Sequence, residues 1–510
     1  MAKANLIIKN TMWLYAKMAI TMFISLYTTR LILNALGVVD FGIYAIVGGA
    51  IGMLGFLNGA MSSATQRFMS YAEGQGKQEK KIGVFNVSIV IHLCLAFIIA
   101  IVLIIAGFIY FNGILNIPEN RILAAKFVYG SLIFSTFLTV INVPYEAVMN
   151  AHENMRYYAL VGILESLLKL TVAFVCVSTN YDKLIVYGIL MACIPVVTLS
   201  IMKVYCHNRY LECILNPFKY FRKDLAKEML GFTGWNFFGS ASSLVGNYGN
   251  GLVLNHFYGS ALNAATGVAN QLNGQLLVFS NNMLKALNPV ITKSEGAGNR
   301  VDMLKYATLG CKYSFALFAF FAIPFILEMD FIQHKWLKNV PAWAVLFAQL
   351  QIVRNLIEQL TIPYGSAIAA EGRIARFNVF VSVLNILPVS ILFILFSKGF
   401  SPVTMYVLNI SIFGVLVALV KVCFAHKICG LKYSSFFKEL FLPSIATFVL
   451  SFAITFIPKL YMEQSWYRMI LTFAFSSLSY ISLFYFVCMN KNERSLIKTM
   501  FYNLQVRFRR

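Results

Sequence analysis

Residues 13–44 read WLYAKMAITMFISLYTTRLILNALGVVDFGIY. From Trp13 the chain runs apolar for more than 20 residues, turns at Leu36-Gly37 and starts a second apolar run at Phe41. That is the pattern of a membrane-crossing helix followed by a tight turn into the next one. Two full cations, Lys17 and Arg30, lie inside the first helix. A charge at the bilayer centre costs at least about 2.5–3.5 kcal/mol. A cation kept there is expected to serve an anion, and Arg30 is the prime candidate for that role.

The rest of the chain agrees with a membrane reading. Hydrophobic residues make up 59% and charged residues 12% of the 510, about half the charge of a soluble protein. The apolar excess is spread evenly, and the first run continues past Arg30 without a small-residue cleavage site, so it is read as a retained helix. The formal charge of +22 flanks apolar spans and does not gather in a soluble domain. It is therefore assigned to anionic lipid and not to nucleic acid. The nine cysteines include no C-x-x-C pair and none lies in an expected outer loop. Neither a disulfide framework nor a metal site is expected.

Fourteen stretches are long enough to span: 11–36, 41–63, 83–111, 123–150, 158–179, 184–206, 231–257, 261–289, 306–327, 342–366, 377–397, 402–426, 440–460 and 467–489. The fold class expected is an all-α polytopic membrane protein. Lys and Arg in alternate loops divide 26 against eight, which places both termini in the cytoplasm. The chain also repeats itself. Trp13 aligns with Trp235, Leu31–Asn34 with Leu252–Asn255, and Glu73-Gly74-Gln75-Gly76 with Glu295-Gly296-Ala297-Gly298, at an offset of 221 or 222; Pro144-Tyr145 aligns with Pro363-Tyr364 at 219. Two homologous six-span halves follow, related by an axis along the membrane normal. The expected organisation is an N-lobe at 1–210, a cytoplasmic linker at 211–230, a C-lobe at 231–430, and two extra helices with a basic tail at 431–510.

Function is sought among the polar residues inside the spans. Asn236, Ser240, Ser243, Asn247 and Asn250 fall on one face of span 7; Asn263, Thr266, Asn270 and Asn273 do the same on span 8. Single residues of this kind commonly hydrogen-bond between helices. Two continuous stripes are read as lining a water-filled cavity whose amides suit sugar hydroxyls. Glu165 and Lys169 on span 5, and Arg354 and Glu358 on span 10, are spaced for i,i+4 ion pairs. Each pair is either structural or an anion site or relay that exchanges partners. Asp40 caps the second helix or joins an outer gate. His92 is read as a core histidine, and Lys203, Lys285, Lys312 and Lys421 as snorkelling cations. Lys17 and Arg30 point to nearly opposite faces of an ideal helix. Nucleotide-binding and hydrolase motifs are absent, so no enzymatic activity is expected.

Arg30-Leu31-Ile32-Leu33-Asn34-Ala35-Leu36-Gly37 followed by Asp40-Phe41-Gly42-Ile43-Tyr44 resembles the first hairpin of the polysaccharide and O-antigen flippases in the multidrug/oligosaccharidyl-lipid/polysaccharide (MOP) superfamily. The resemblance implies two six-helix lobes of MATE-like fold around a cationic cavity. It implies a bacterial inner-membrane protein that moves undecaprenyl-diphosphate-linked oligosaccharide to the outer leaflet by alternating access. Arg30 would then meet the diphosphate, with Lys17, Lys169 and Arg354 as supporting cations. Asn236, Ser240, Asn247, Asn250, Asn270 and Asn273 would face sugar, and Asp40, Glu165 and Glu358 would serve coupling or gating. No cofactor is expected. The drive would be a proton or sodium gradient or the membrane potential, and the partners anionic lipids and a polymerase or other assembly protein. A monomer is expected. Rival readings are an ion-coupled multidrug exporter of the same superfamily, which would favour acidic cavity residues, and a glycan polymerase or glycosyltransferase, which would need a larger outer loop.

Overall fold

The computed structural model describes residues 2–52, 55–114, 117–337, 339–491 and 493–495, and among them there is no strand. The chain divides into two compact units. One comprises Ile7–Ser240 and Thr292–Asn299; the other comprises Met1–Leu6, Ala241–Ile291 and the chain from Arg300 onward. The division falls inside a helix, at Ser240, so the linker at 211–230 and the first turns of span 7 belong to the first unit. Spans 13 and 14 belong to the second.

In the first unit α1 (Ala2–Gly52) is broken at Gly37, whose φ of 76° and ψ of 172° are non-helical. A side chain at that φ is strained, which is why the turn uses glycine. Helices α2 (Gly55–Gln75), α3 (Gln78–Ile109), α4 (Ile122–Ala151), α5 (Met155–Ser178) and α6 (Lys183–Arg209) follow. Local chemistry sets their starts: Asn154 caps α5 by accepting from the Tyr157 amide, and Asp182 caps α6 by accepting from Leu184 and Ile185. The core gathers Ile32 and Leu36 of α1, Ile99 and Leu103 of α3, Val128 and Tyr129 of α4, and Cys176 of α5. The Tyr129 hydroxyl donates to the Leu103 carbonyl at 2.6 Å, so its polar end is satisfied in the apolar core.

The second unit takes the second half of α7 (Lys223–Tyr258) and most of α8 (Ser260–Gly296), then α9 (Arg300–Trp336), α10 (Ala344–Gln359), α11 (Ile362–Glu371) and α12 (Ala375–Ser397). Three more helices, at spans 12 to 14, complete it: α13 (Val403–Cys429), α14 (Tyr433–Tyr461) and α15 (Trp466–Cys488). Among the described residues ten helices are long and apolar enough to cross a membrane. The described residues of the remaining four expected spans are mostly helical but fall short for visible reasons. Stretches 231–257 and 261–289 are diluted by their own amides and hydroxyls. Stretch 342–366 is divided between α10 and α11, with Pro363 in the first turn after the break. Stretch 41–63 includes residues outside the described set.

The pair α14–α15 packs by hydroxyls. The buried residues of Leu442–Thr455 are Ser444, Thr447, Ser451 and Thr455. Those of Trp466–Leu483 are Arg468, Thr472, Ser476 and Tyr480. Small hydroxyl residues let helices approach closely where lipid supplies no hydrophobic drive. The pair is tied to α9 at two levels. Arg468 donates Nε and Nη2 to the two Glu328 oxygens at 3.0 and 2.7 Å, and Thr472 donates to the same carboxylate at 3.0 Å. Lys312 is 2.7 Å from Glu493 just past α15. One reading is corrected here: Lys312 does not snorkel but is buried and paired. Arg468, at the start of the last span, lies inside the protein, where a fully buried Glu328 offers it a bidentate partner.

Arg468→Ala is expected to lower stability by about 3–5 kcal/mol, since it strands Glu328 without a counter-charge. Unfolding of the purified protein in detergent measures this. The double change Arg468→Met with Glu328→Leu should recover most of the loss.

Candidate functional site

Each unit carries its own set of intramembrane charges. In the first unit Lys17 leaves α1 and lies across α5. Its Nζ sits 4.3 Å from the centre of the Tyr158 ring, and its stem passes so close to Gly162 that a Cβ there would lie 2.2 Å from Cε. A cation over a ring face gains about 0.5–2 kcal/mol, so Lys17 is held and does not extend toward an interface. On the same helix Glu165 and Lys169 pair at 2.6 Å, both about two-fifths exposed. On α4 the Asn142 amide donates to Glu146 at 3.1 Å across Pro144.

Arg30 stands apart from these. It is exposed on the unit's surface, and among the described residues no carboxylate, hydroxyl or aromatic ring meets its guanidinium. It lies seven residues before the Gly37 break, about 10 Å along the helix. Arginine presents a planar fork of five donors, suited to bidentate contact with phosphate or carboxylate. By charge and by geometry, an unpaired fork on an apolar helix is a candidate site for an anion.

The Asp40 carboxylate is gripped by Arg121, which also reaches Asp182 at 2.6 Å. The guanidinium thus joins the turn after Gly37, the start of α4 and the cap of α6. Hydrogen bonding to Arg121 outweighs burial and holds Asp182 below its ordinary carboxylate value. That stabilisation is present at neutral pH and is lost as pH falls through the lowered value. The sequence could not announce this knot, because its members are 81 and 61 positions apart.

In the second unit Arg354 donates Nε to Glu358 at 2.7 Å and stacks 4.5 Å from the centre of the Phe413 ring. The amide stripes divide into two kinds. Asn250 is buried and donates to Asn409 at 3.1 Å; Asn273 is buried and accepts from Asn355. In this conformation both join helices. Asn247 and Asn270 are exposed, Asn247 turning back to the Ser243 carbonyl at 2.9 Å. Asn236 and Ser240 are half-buried and fall in the first unit. His92 is fully buried, with Nδ1 2.8 Å from the Ser88 carbonyl, as a core histidine should be.

A family model described as polysaccharide biosynthesis protein matches residues 7–295, more than half of the chain. The chain belongs to the polysaccharide biosynthesis protein family. No curated protein matches it closely in sequence. Solved structures share its fold. A MATE transporter in complex with MaD3S superposes with a TM-score of 0.69 at 14% identity, covering 83% of this chain and 96% of that one. An outward-facing multidrug resistance MATE transporter of the MOP superfamily gives 0.69, 14%, 83% and 95%. A MOP transporter from Pyrococcus furiosus, described as having a binding pocket of reversed polarity, gives 0.66, 13%, 84% and 96%. This family member is therefore a multi-pass membrane protein with the two-lobed MATE-type fold that the first hairpin implies.

The division of the amides is open to a direct check in a cysteine-free background. Cysteines at Asn247 and Asn270 should label with a charged, membrane-impermeant thiol reagent. Cysteines at Asn250 and Asn273 should stay at least tenfold slower, because burial excludes the thiolate that reacts. Equal rates at all four would show that the stripes do not divide this way.

Proposed function

We propose that this protein flips an undecaprenyl-diphosphate-linked oligosaccharide from the cytoplasmic to the outer leaflet of the bacterial inner membrane by alternating access. One observation carries the reading: Arg30 is a full cation within an apolar helix, exposed and without an acidic partner among the described residues. A lipid diphosphate supplies the missing anion at a depth that a soluble anion does not reach. Family membership supports a glycan as the group attached to it. The polar residues Asn247 and Asn270, exposed on the second unit, are the sugar contacts in this reading. Lys17, Lys169 and Arg354 add positive potential while remaining held by Tyr158, Glu165 and Glu358.

The charge bias of the loops supports both termini in the cytoplasm. Coupling to a proton or sodium gradient, or to the membrane potential, supplies the direction. A polymerase or another assembly protein would receive the product. The multidrug rival needs acids free to meet a cationic drug. Glu165, Glu358, Asp40 and Glu328 are instead each occupied by a cation.

Arg30→Ala is expected to abolish surface polysaccharide and accumulate lipid-linked oligosaccharide on the inner leaflet, with protein level unchanged. Arg30→Lys should retain a fraction, having the charge but not the fork. Normal glycan display in Arg30→Ala would remove the diphosphate reading.

A further inference from the structure

Helices α5 and α6 form a surface groove of about 530 Å³ at the end of the first unit where α6 stops. One wall is the stacked pair Tyr157 and Tyr205, whose ring centres lie 3.6 Å apart. Asn154, the cap of α5, donates to the Tyr205 hydroxyl at 2.8 Å and to the Tyr210 hydroxyl at 3.0 Å. The wall is therefore fixed in place. Val204 and Ile201 form an apolar floor, and Val204 is 60% exposed. Ser200, at the far end, turns its hydroxyl back to the Val196 carbonyl at 2.7 Å and so spends its donor within the helix.

The near end carries charge. Arg209 is the last residue of α6, and Asn208 stands beside it, both exposed. Among the described residues neither side chain has a protein partner. The carbonyl end of a helix favours a cation, yet the five donors of the Arg209 fork are left unspent. Ser200 lies nine residues before Arg209, about 14 Å along the helix. From the end of this membrane span inward, the groove offers a cation, then two tyrosines one turn deeper, then an apolar floor. Tyrosine gathers at that depth because its ring is apolar and its hydroxyl reaches water. A phospholipid has the same order along its length: a charged phosphate, polar esters and an apolar chain.

We infer that this groove binds one anionic phospholipid of the membrane, with its phosphate on the Arg209 fork and the Asn208 amide, its esters against the Tyr157–Tyr205 wall and an acyl chain over Val204 and Ile201. A headgroup of net negative charge is favoured over a zwitterionic one. Lys203, exposed one residue before Val204, repels the ammonium that a zwitterionic lipid brings. Arg209 is the cation that lines the groove, and one fork matches one phosphate. A polyprenyl diphosphate would leave its second phosphate unmet there. Val204, Asn208 and Arg209 are exposed, so the lipid enters from the surrounding leaflet. By the charge bias of the loops this is the cytoplasmic leaflet, whose anionic lipids basic pockets between helices bind. A bound lipid neutralises the end of α6 just before the linker and ties it to α5 through the tyrosine wall. The site stands whether or not the flippase reading does.

The test strips the full-length protein of lipid in detergent and titrates it with phosphatidylglycerol or phosphatidylethanolamine, counting bound lipid by native mass spectrometry. The first phosphatidylglycerol is expected to bind at least about fivefold more tightly than the first phosphatidylethanolamine, the effect of one basic residue beside an anionic headgroup. Arg209→Gln should remove that preference, and Arg209→Lys should keep part of it, having the charge without the fork. Val204→Trp fills the floor and leaves the charge, and should remove the first tight binding event for either lipid. Lys223→Gln takes away an exposed cation at the start of α7, outside the groove, and should change neither. An equal loss of preference in Arg209→Gln and Lys223→Gln would reveal general attraction to charge and overturn the site. Unaltered binding in Val204→Trp would do the same. Displacement of phosphatidylglycerol by equimolar undecaprenyl diphosphate would give the groove to that lipid instead and overturn the phospholipid assignment. None of these readings depends on surface polysaccharide, so the groove and the flippase reading fail separately.

Discussion

Charge in hydrocarbon is the constraint on which this structure depends. Water cannot solvate an ion there, so each interior cation must find a carboxylate, a ring or a ligand. Lys17 finds Tyr158, Lys169 finds Glu165, Arg354 finds Glu358, Lys312 finds Glu493 and Arg468 finds Glu328. These contacts divide by depth of burial. Glu328 and Arg468 are sealed away and fix helices to one another, whereas Glu165 and Lys169 remain two-fifths exposed. An exposed pair is weakly bound and can give up its partner; a sealed pair cannot without large loss. The same rule that makes Arg468 structural sets Arg30 apart, which is exposed and has no such contact among the described residues.

Much of the fold was legible because hydropathy and length act locally. The break at Gly37 was written in Leu36-Gly37 and Asp40, and the i,i+4 ion pairs of α5 and α10 followed from spacing alone. The paired glycines were visible as a repeat, although nothing in the repeat said that its two copies touch: a Cβ on Gly74 would lie 2.1 Å from the Lys293 carbonyl oxygen. What remained hidden depended on which face of a helix meets which neighbour. Period groups the stripe residues of α7 and α8, but it does not tell Asn250, spent on Asn409, from Asn247, left outside. Asp40, Arg121 and Asp182 come from three separate elements, and only tertiary packing makes them one knot. Glu328 and Arg468 each stand at the edge of an apolar run, 140 positions apart, and nothing local joins them; only packing makes them a buried pair.

The hydroxyl seam of α14 and α15 bears on how this chain is assembled. Its two halves resemble each other and their repeat ends before residue 430, so the last two spans look like an addition to a finished twelve-span body. Glu328 and Lys312 of α9 contradict that picture. Each has its counter-charge supplied from the added part, at Arg468 and Glu493. Once the hairpin is present, the older helix can carry two charges that it could not hold in lipid by itself. Removing the hairpin would leave both charges on α9 without a counter-ion, so the last two spans are part of what holds that helix in the membrane.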